Sequence, residues 1–287
     1  MFHNYNLRPM LLEEVNQIFQ DDDYLYEIKF DGIRALIYVS KNEFKIISRN
    51  GKDLTKKYPE LKKIQNLVGN SKVIFDGEII ATLNGIPNFS LLQKRNRIKK
   101  VNSSIIEEIP VSFVAFDILY EHHDLTNLAL VERKKMLEKY LDFDYFIKSK
   151  VYYHGVALFK MVKKIGLEGV VAKKKDSVYS WGERSWNWVK VKNIKVDNFV
   201  VHGYLEKTNT YSLLLGEYKK NRLNYIGKVS VNKKHEIMNI LRKMKKINNQ
   251  FANFDENANY VEPINTIRVH YLERTKSGVL RHATIDE

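Results

Sequence analysis

The sequence predicts an α+β protein of two domains. Antiparallel sheets flanked by helices occupy residues 1–193, and a small β-barrel, most simply an OB-fold, occupies residues 194–287. Three observations lead there. Up to Lys192, apolar strands bearing lone charges alternate with short amphipathic helices. Beyond it, short strands and turns follow one another with a single helix among them, the texture of a small barrel. A chain of 287 residues, 44% hydrophobic and 29% charged, can bury two ordinary cores.

"YLYEIKFDGIRALIY" (24–38) reads as a strand broken at Asp31-Gly32, with Lys29 and Asp31 expected on one face because strand positions i and i+2 align. "EFKIISRNG" is a second strand closed by the turn signal Asn50-Gly51. "KKYPELKKIQNLVG" predicts a short basic helix that groups Leu61, Ile64, Leu67 and Val68. "SKVIFDGEIIATL" and "VSFVAFDILY" are apolar strands carrying lone carboxylates. "NLALVERKKMLEKYL" is an amphipathic helix with Thr126 or Asn127 as N-cap, and "VALFKMVKKIG" another, closed by Gly166. "EGVVAKKK" and "WNWVKVK" are strands, and the domain boundary falls near Asn193–Lys195. In the second domain "KKHEIMNILRKMKKI" is one helix, residues 243–259 a loop, and "NTIRVHYLERT" and "GVLRHATI" the closing strands.

Charge and composition narrow the function. A net charge of +14 points to a polyanion partner, most often nucleic acid. The absence of cysteine excludes disulfides, iron–sulfur clusters and cysteine-ligated zinc. "MFHNYNLRPM" lacks the apolar stretch of a signal peptide, and no run approaches the roughly 20 apolar residues of a membrane span. A cytoplasmic protein is expected.

Lys29, Asp31, Arg34, Arg49, Glu78, Asp117, Glu168, Lys190 and Lys192 all sit at the ends of apolar strands. Charges are rarely buried unless paired, so the set suggests a polar cleft between two sheets, against the alternative of scattered surface charges. Such a cleft suits a nucleotide: cations hold phosphates, while carboxylates hold ribose hydroxyls and Mg²⁺. A neutral lysine amine is a good nucleophile toward phosphorus, but free lysine has a pKa near about 10.4 and would need it lowered. "EHHD" (121–124) looks like a metal cluster but lies in a turn and is set aside. The aromatics of "YSWGERSWNWVK" are expected to pack the sheet.

"KFDGIR" (29–34) resembles the K-x-D-G-x-R signature of covalent nucleotidyltransferases. Alone it is weak. The ordered set "SRNG" (48–51), "DGEI" (76–79), "FVAFDILY" (113–120), "LEGVVAK" (167–173) and "WVKVK" (188–192) is strong. With "PNFSLLQKR", "DLTNLALVERKKML" and "IRVHYLERTKSGVLRHA" it is similar to ATP-dependent DNA ligases, above all the ligase modules of bacterial end-joining proteins and small bacterial or phage ligases.

The resemblance implies an ATP-grasp-like nucleotidyltransferase core and a C-terminal OB-fold, acting as a monomer on nicked double-stranded DNA with ATP and Mg²⁺ or Mn²⁺. Lys29 would be the nucleophile that becomes adenylated, and Gly32 would allow close backbone approach. Glu27 would read the adenine edge, with a surface glutamate as the alternative. Arg34 and Arg49 would hold ribose and nick phosphate. Glu78 would contact ribose or metal, Phe116 would stack on adenine, and Glu168 would bind metal. Lys190 and Lys192, on one strand face, would bind phosphates. Asp31 and Asp117 lie within motifs and have structural alternatives. An RNA ligase or capping enzyme, or an inactive binding protein on the same scaffold, are the rival readings. An NAD⁺-dependent ligase fits poorly because its cysteine zinc finger is missing. The tail departs from the family: a basic R-x-D-K-like segment is expected where "LRHATIDE" stands, which puts self-adenylation in doubt unless Arg281, rather than Arg274 or Lys276, substitutes.

Overall fold

In the computed structural model residues 1–285 are described, the side chains at 264 and 265 excepted, so Asp286 and Glu287 of the expected second domain lie outside the described residues. The chain forms two compact units, Met1–Asn193 and Ile194–Glu287. Among the described residues no helix is long and apolar enough to cross a membrane.

The strands of the first unit are β1 (Leu11–Glu14), β2 (Tyr24–Lys29), β3 (Ile33–Val39), β4 (Phe44–Ser48), β5 (Val73–Leu83), β6 (Ile86–Pro87), β7 (Val111–Glu121), β8 (His123–Asp124), β9 (Phe146–Lys148), β10 (Gly169–Lys174) and β11 (Arg184–Lys192). Its helices are α1 (Gln65–Val68), α2 (Phe89–Arg97), α3 (Ser103–Glu108), α4 (Leu130–Leu137) and α5 (Gly155–Ile165). One sheet has the order β1-β11-β10-β2; the other runs β4-β3-β5-β7-β8, with β6 on β5 and β9 on β7. The sheets are mixed rather than wholly antiparallel, because β1 runs parallel to β11 and β9 parallel to β7. Neither pair is joined by a hairpin, so no tight turn dictates an antiparallel direction.

Alternation along β2 sorts its side chains. Tyr24, Tyr26 and Ile28 pack with Leu158, Phe159 and Val162 of α5. Leu25 faces the other way, toward Leu36, Tyr38, Ile74 and Trp188 in the core between the sheets. Glu27 and Lys29 follow Leu25 by the period of 2. α5 ends at Gly166, whose φ of 82° is the left-handed cap conformation that glycine adopts without strain.

The strand expected over 24–39 is two strands in different sheets. Phe30, Asp31 and Gly32 form the crossover, so Asp31 is not on a strand and does not share the face of Lys29 by strand geometry. Gly32 is required here: a Cβ would stand 2.3 Å from the Ile79 carbonyl oxygen of β5 and 2.8 Å from Glu78 Cγ. The close approach is to the neighbouring sheet.

Four helices of the first unit differ from expectation. Residues 59–64 are 3₁₀ and only Gln65–Val68 is α-helical, consistent with Pro59 at the start and the short run available. α4 begins at Leu130 after Ala129, later than Thr126 or Asn127; Thr126 is instead tied to Asp124, whose Oδ1 accepts from its N–H at 2.8 Å and its hydroxyl at 2.7 Å. α2, read from sequence only as a connecting segment, and α3, not singled out there, are capped by Asn88 and Asn102, which accept from Leu91 N–H and Ile105 N–H at 3.0 Å.

The second unit contains β12 (Lys195–Glu206), β13 (Thr210–Lys219), β14 (Arg222–Asn232), α6 (Glu236–Leu241), β15 (Asn259–Tyr271), the short pair β16 (Glu273–Arg274) and β17 (Leu280–Arg281), and β18 (Thr284–Ile285). α6 is shorter than the helix expected over 233–247. Strand order is β14-β13-β12-β15-β18. Register shifts at Val201/Gly203 and Leu215/Gly216 bend the strands, and β14 reaches β17 and β18. This curled five-stranded sheet around Phe199, Leu213, Leu215, Val229, Met238 and Val269 is the partly open barrel expected of an OB-fold. Of the cations named near the tail, Arg274 is held by Glu217 at 2.9 and 3.1 Å, and Arg281 pairs with Glu273.

Candidate active site

The crossover from β2 to β3 carries Lys29 into a cavity between the two sheets of the first unit. Glu27 and Lys29 come from β2, Arg34 from β3, Glu78 from β5, Phe116 from β7, and Lys173 and Trp188 from β10 and β11; all of these line it. Five of the nine sequence-derived site residues therefore meet in one place.

Glu168 joins them through Lys29. β10 pairs with β2 so that Gly169 lies opposite Lys29. Glu168, one residue earlier, brings its carboxylate to 2.7 Å from Lys29 Nζ. Gly169 is forced by crowding, since a Cβ would sit 2.2 Å from the Val191 carbonyl oxygen. Burial raises the pKa of Glu168 despite the pull of Lys29, and it pushes Glu78 up to about 8, with Glu168 and Asp76 adding to the shift against Lys29 and Arg34. Both carboxyls are buried, and Lys29 opposes the shift in each.

Lys190 and Lys192 share a face of β11, as alternation requires, but they do not line the cavity; both are clasped by Glu14 of β1, at 3.2 and 2.9 Å. Burial raises the pKa of Glu14, and the two lysines overcome it, holding this carboxyl below its usual range. Arg49 is placed in a different cavity, with Arg8, Pro9, Leu11, Asn50 and Gly182. The two cavities adjoin through backbone, because Arg49 N–H donates to the Arg34 carbonyl at 2.9 Å. Asp117 does not line the cleft: its carboxylate accepts from Arg133 Nε and an Arg133 terminal nitrogen, both at 2.9 Å. It is structural.

Sequence reading missed several residues. Asp76 holds Arg34 through two hydrogen bonds of 3.1 and 2.7 Å and also accepts from the Tyr179 hydroxyl at 2.6 Å. Lys173 lies 4.3 Å from the Phe116 ring centroid and 4.4 Å from that of Trp188, and burial lowers its pKa to about 8. Both stood in quoted motifs as charges within apolar strands, which was the available signal. Of the aromatics in "YSWGERSWNWVK", Tyr179 and Trp188 are buried as expected, but Trp186 is 66% exposed. Among the described residues no group of three His, Cys, Asp or Glu could hold a metal by itself, "EHHD" included.

The sequence matches the family model described as ATP dependent DNA ligase domain over residues 9–192, and that described as ATP dependent DNA ligase C terminal region over residues 206–287. It is 33% identical, over 69% of its length and 72% of the relative's, to the SPbeta prophage-derived DNA ligase-like protein LigB of Bacillus subtilis. It is 28% identical to the multifunctional non-homologous end joining DNA repair protein LigD of Mycobacterium tuberculosis, covering 99% of this chain but 38% of that protein. Among solved structures, mycobacterial DNA ligase D complexed with ATP and MES superposes with a TM-score of 0.62 at 26% identity, covering 99% of this chain and 95% of that one.

Proposed function

Since the chain belongs to the ATP-dependent DNA ligase family, we propose that it seals nicks in duplex DNA, beginning with adenylation of Lys29. The observation that carries this reading is the placement of Lys29 at a sheet crossover, in a cleft with Glu27, Arg34, Glu78 and Phe116 and against Glu168. Lys29 Nζ attacks the α-phosphate of ATP and pyrophosphate leaves. AMP then passes to the 5′-phosphate at the nick. The 3′-hydroxyl attacks that phosphate and AMP departs. Positioning and charge neutralisation do most of this work, as in phosphoryl transfer generally.

Each residue then has a task in this reading. Phe116 gives the adenine a stacking face and Glu27 an anionic acceptor. Arg34 is fixed by Asp76 for the ribose. Lys190 and Lys192 exchange Glu14 for phosphates, and Arg49 meets the nick phosphate from the adjoining cavity. Residues 1–193 act as the adenylation domain and residues 194–287 as the OB-fold domain. Glu78 and Glu168 fit Mg²⁺, which is held through one or two carboxylates plus substrate phosphates rather than by an all-protein cage. Bound there, the ion would neutralise charge on the phosphates. The setting we propose is a monomer in the bacterial cytoplasm. Incubation with α-labelled ATP tests the reading: a Lys29-dependent covalent adduct is expected, and its absence ends it.

Glu168→Ala is expected to slow self-adenylation about 100-fold or more at ordinary Mg²⁺, the scale of losing one preorganised electrostatic partner. Single-turnover adduct formation measures it, and wild-type rates would remove Glu168 from the site. Nick sealing should also fall steeply with salt, with affinity dropping by roughly 0.9 log units per log salt for each neutralised phosphate, and should fail well before about 0.3 M. A salt titration with a flat response would count against binding through the +14 surface.

A further inference from the structure

The acceptor assigned to the base, Glu27, is buried against two cations. Its Oε1 lies 2.6 Å from Lys134 Nζ and 3.0 Å from Lys173 Nζ. Burial would raise the pKa of this carboxyl, but the two lysines outweigh it and hold it ionised. The lysines are not equivalent. Lys173 lines the cavity and leans on Phe116 and Trp188. Lys134 does not line it. It arrives from α4, and its chain neighbour Arg133 anchors that helix by pairing with Asp117. Lys134 is thus delivered from a fixed element at the shorter distance.

We infer that Lys134 is a positioning residue that sets nucleobase choice by holding Glu27 charged and aimed, so that the cleft accepts a base edge bearing an amino group and rejects one bearing a carbonyl. The inference rests on the reading of this cavity as the adenylation site. Its logic is electrostatic. A carboxylate offers about four lone-pair sites, so one oxygen shared by two lysines still leaves room for an amino donor from the base. A carbonyl in that place would set oxygen against oxygen. Without Lys134, Glu27 keeps the Ser149 hydroxyl and a single cation, Lys173, whose own charge burial disfavours. The pair can then share a proton, and a protonated Glu27 donates to a carbonyl as readily as it accepts from an amine.

The test compares adduct formation with ATP and with ITP, in which the amino group is replaced by a carbonyl oxygen. Lys134→Met is expected to lower the ATP-over-ITP ratio of kcat/KM by roughly 10- to 100-fold, the worth of one hydrogen bond to a charged group. Lys134→Arg should restore most of it. Lys134→Gln, polar but uncharged, should give the same collapse and keeps the measurement open if Lys134→Met does not fold. A residue with only a structural role would depress both nucleotides together. A normal wild-type adduct with an unmoved ratio in the variants overturns this inference alone. No adduct in the wild type overturns the adenylation reading, and this inference with it.

Discussion

Lys29→Ala is expected to form no covalent adduct with ATP at any concentration, yet to seal a pre-adenylated nick at a reduced but measurable rate. The first step needs a nucleophile that alanine cannot supply. The last step uses the 3′-hydroxyl of the DNA, so the remaining cleft can still position it. Stability should fall somewhat, because the buried Glu168 loses its partner at 2.7 Å. Gel detection of labelled protein and a sealing assay on pre-adenylated DNA decide the matter together. A labelled adduct in the variant, or equal loss of both activities, would sink the mechanism.

Arg133→Ala should do the reverse, damaging the fold while touching no cleft residue directly. Arg133 and Asp117 are both 0% exposed. Arg133 also donates to the Leu128 carbonyl at 2.5 Å and the Ser177 carbonyl at 3.0 Å. Truncation leaves a buried carboxylate and two carbonyls without their donor. Breaking a buried pair in this way costs about 3 to 5 kcal/mol, a large part of a domain's usual margin of roughly 5 to 15. For a unit of this size the melting temperature should fall by roughly 6 to 20 °C. Calorimetry measures it; a drop within about 2 °C would show that the pair is replaceable. Replacing both partners together by apolar residues of similar volume should recover much of the loss, since the orphaned charge goes with its partner.

The contrast between these two lysine- and arginine-centred predictions marks what the sequence could convey. Period-2 alternation was enough to place Glu27 with Lys29 and Lys190 with Lys192, because strand geometry is local. Gly166 as a helix stop was legible for the same reason. The break at Asp31-Gly32 was legible as a break, but not as a passage between sheets: that depends on Ile79 and Glu78 crowding Gly32 from β5. Lys134, Asp76 and Glu14 stayed hidden because each acts through a partner on another element, and nothing in the spacing says which carboxylate a helix or edge strand will meet. Arg49 and Asp117 left the expected cleft on similar grounds, one into a neighbouring cavity and one onto Arg133. The asparagine caps of α2 and α3 were local signals that could have been read.

The pairing of the cleft cations has a consequence for how the protein behaves in a crowded cell. Lys29 rests on Glu168, Arg34 on Asp76, and Lys173 on Glu27. A surface of net charge +14 draws any polyanion, whether RNA, polyphosphate or an acidic lipid headgroup, with little regard for its identity. The cleft does not join in that attraction, because every cation within it is already answered by a carboxylate of the chain. A loose anion that drifts in must displace one acid for each charge it hopes to meet, and a single phosphate gains little from the exchange. A ligand carrying several phosphates at fixed spacing, together with a base and a sugar, displaces several at once. Promiscuity and discrimination are therefore assigned to separate parts of the molecule, and three acidic residues keep them apart.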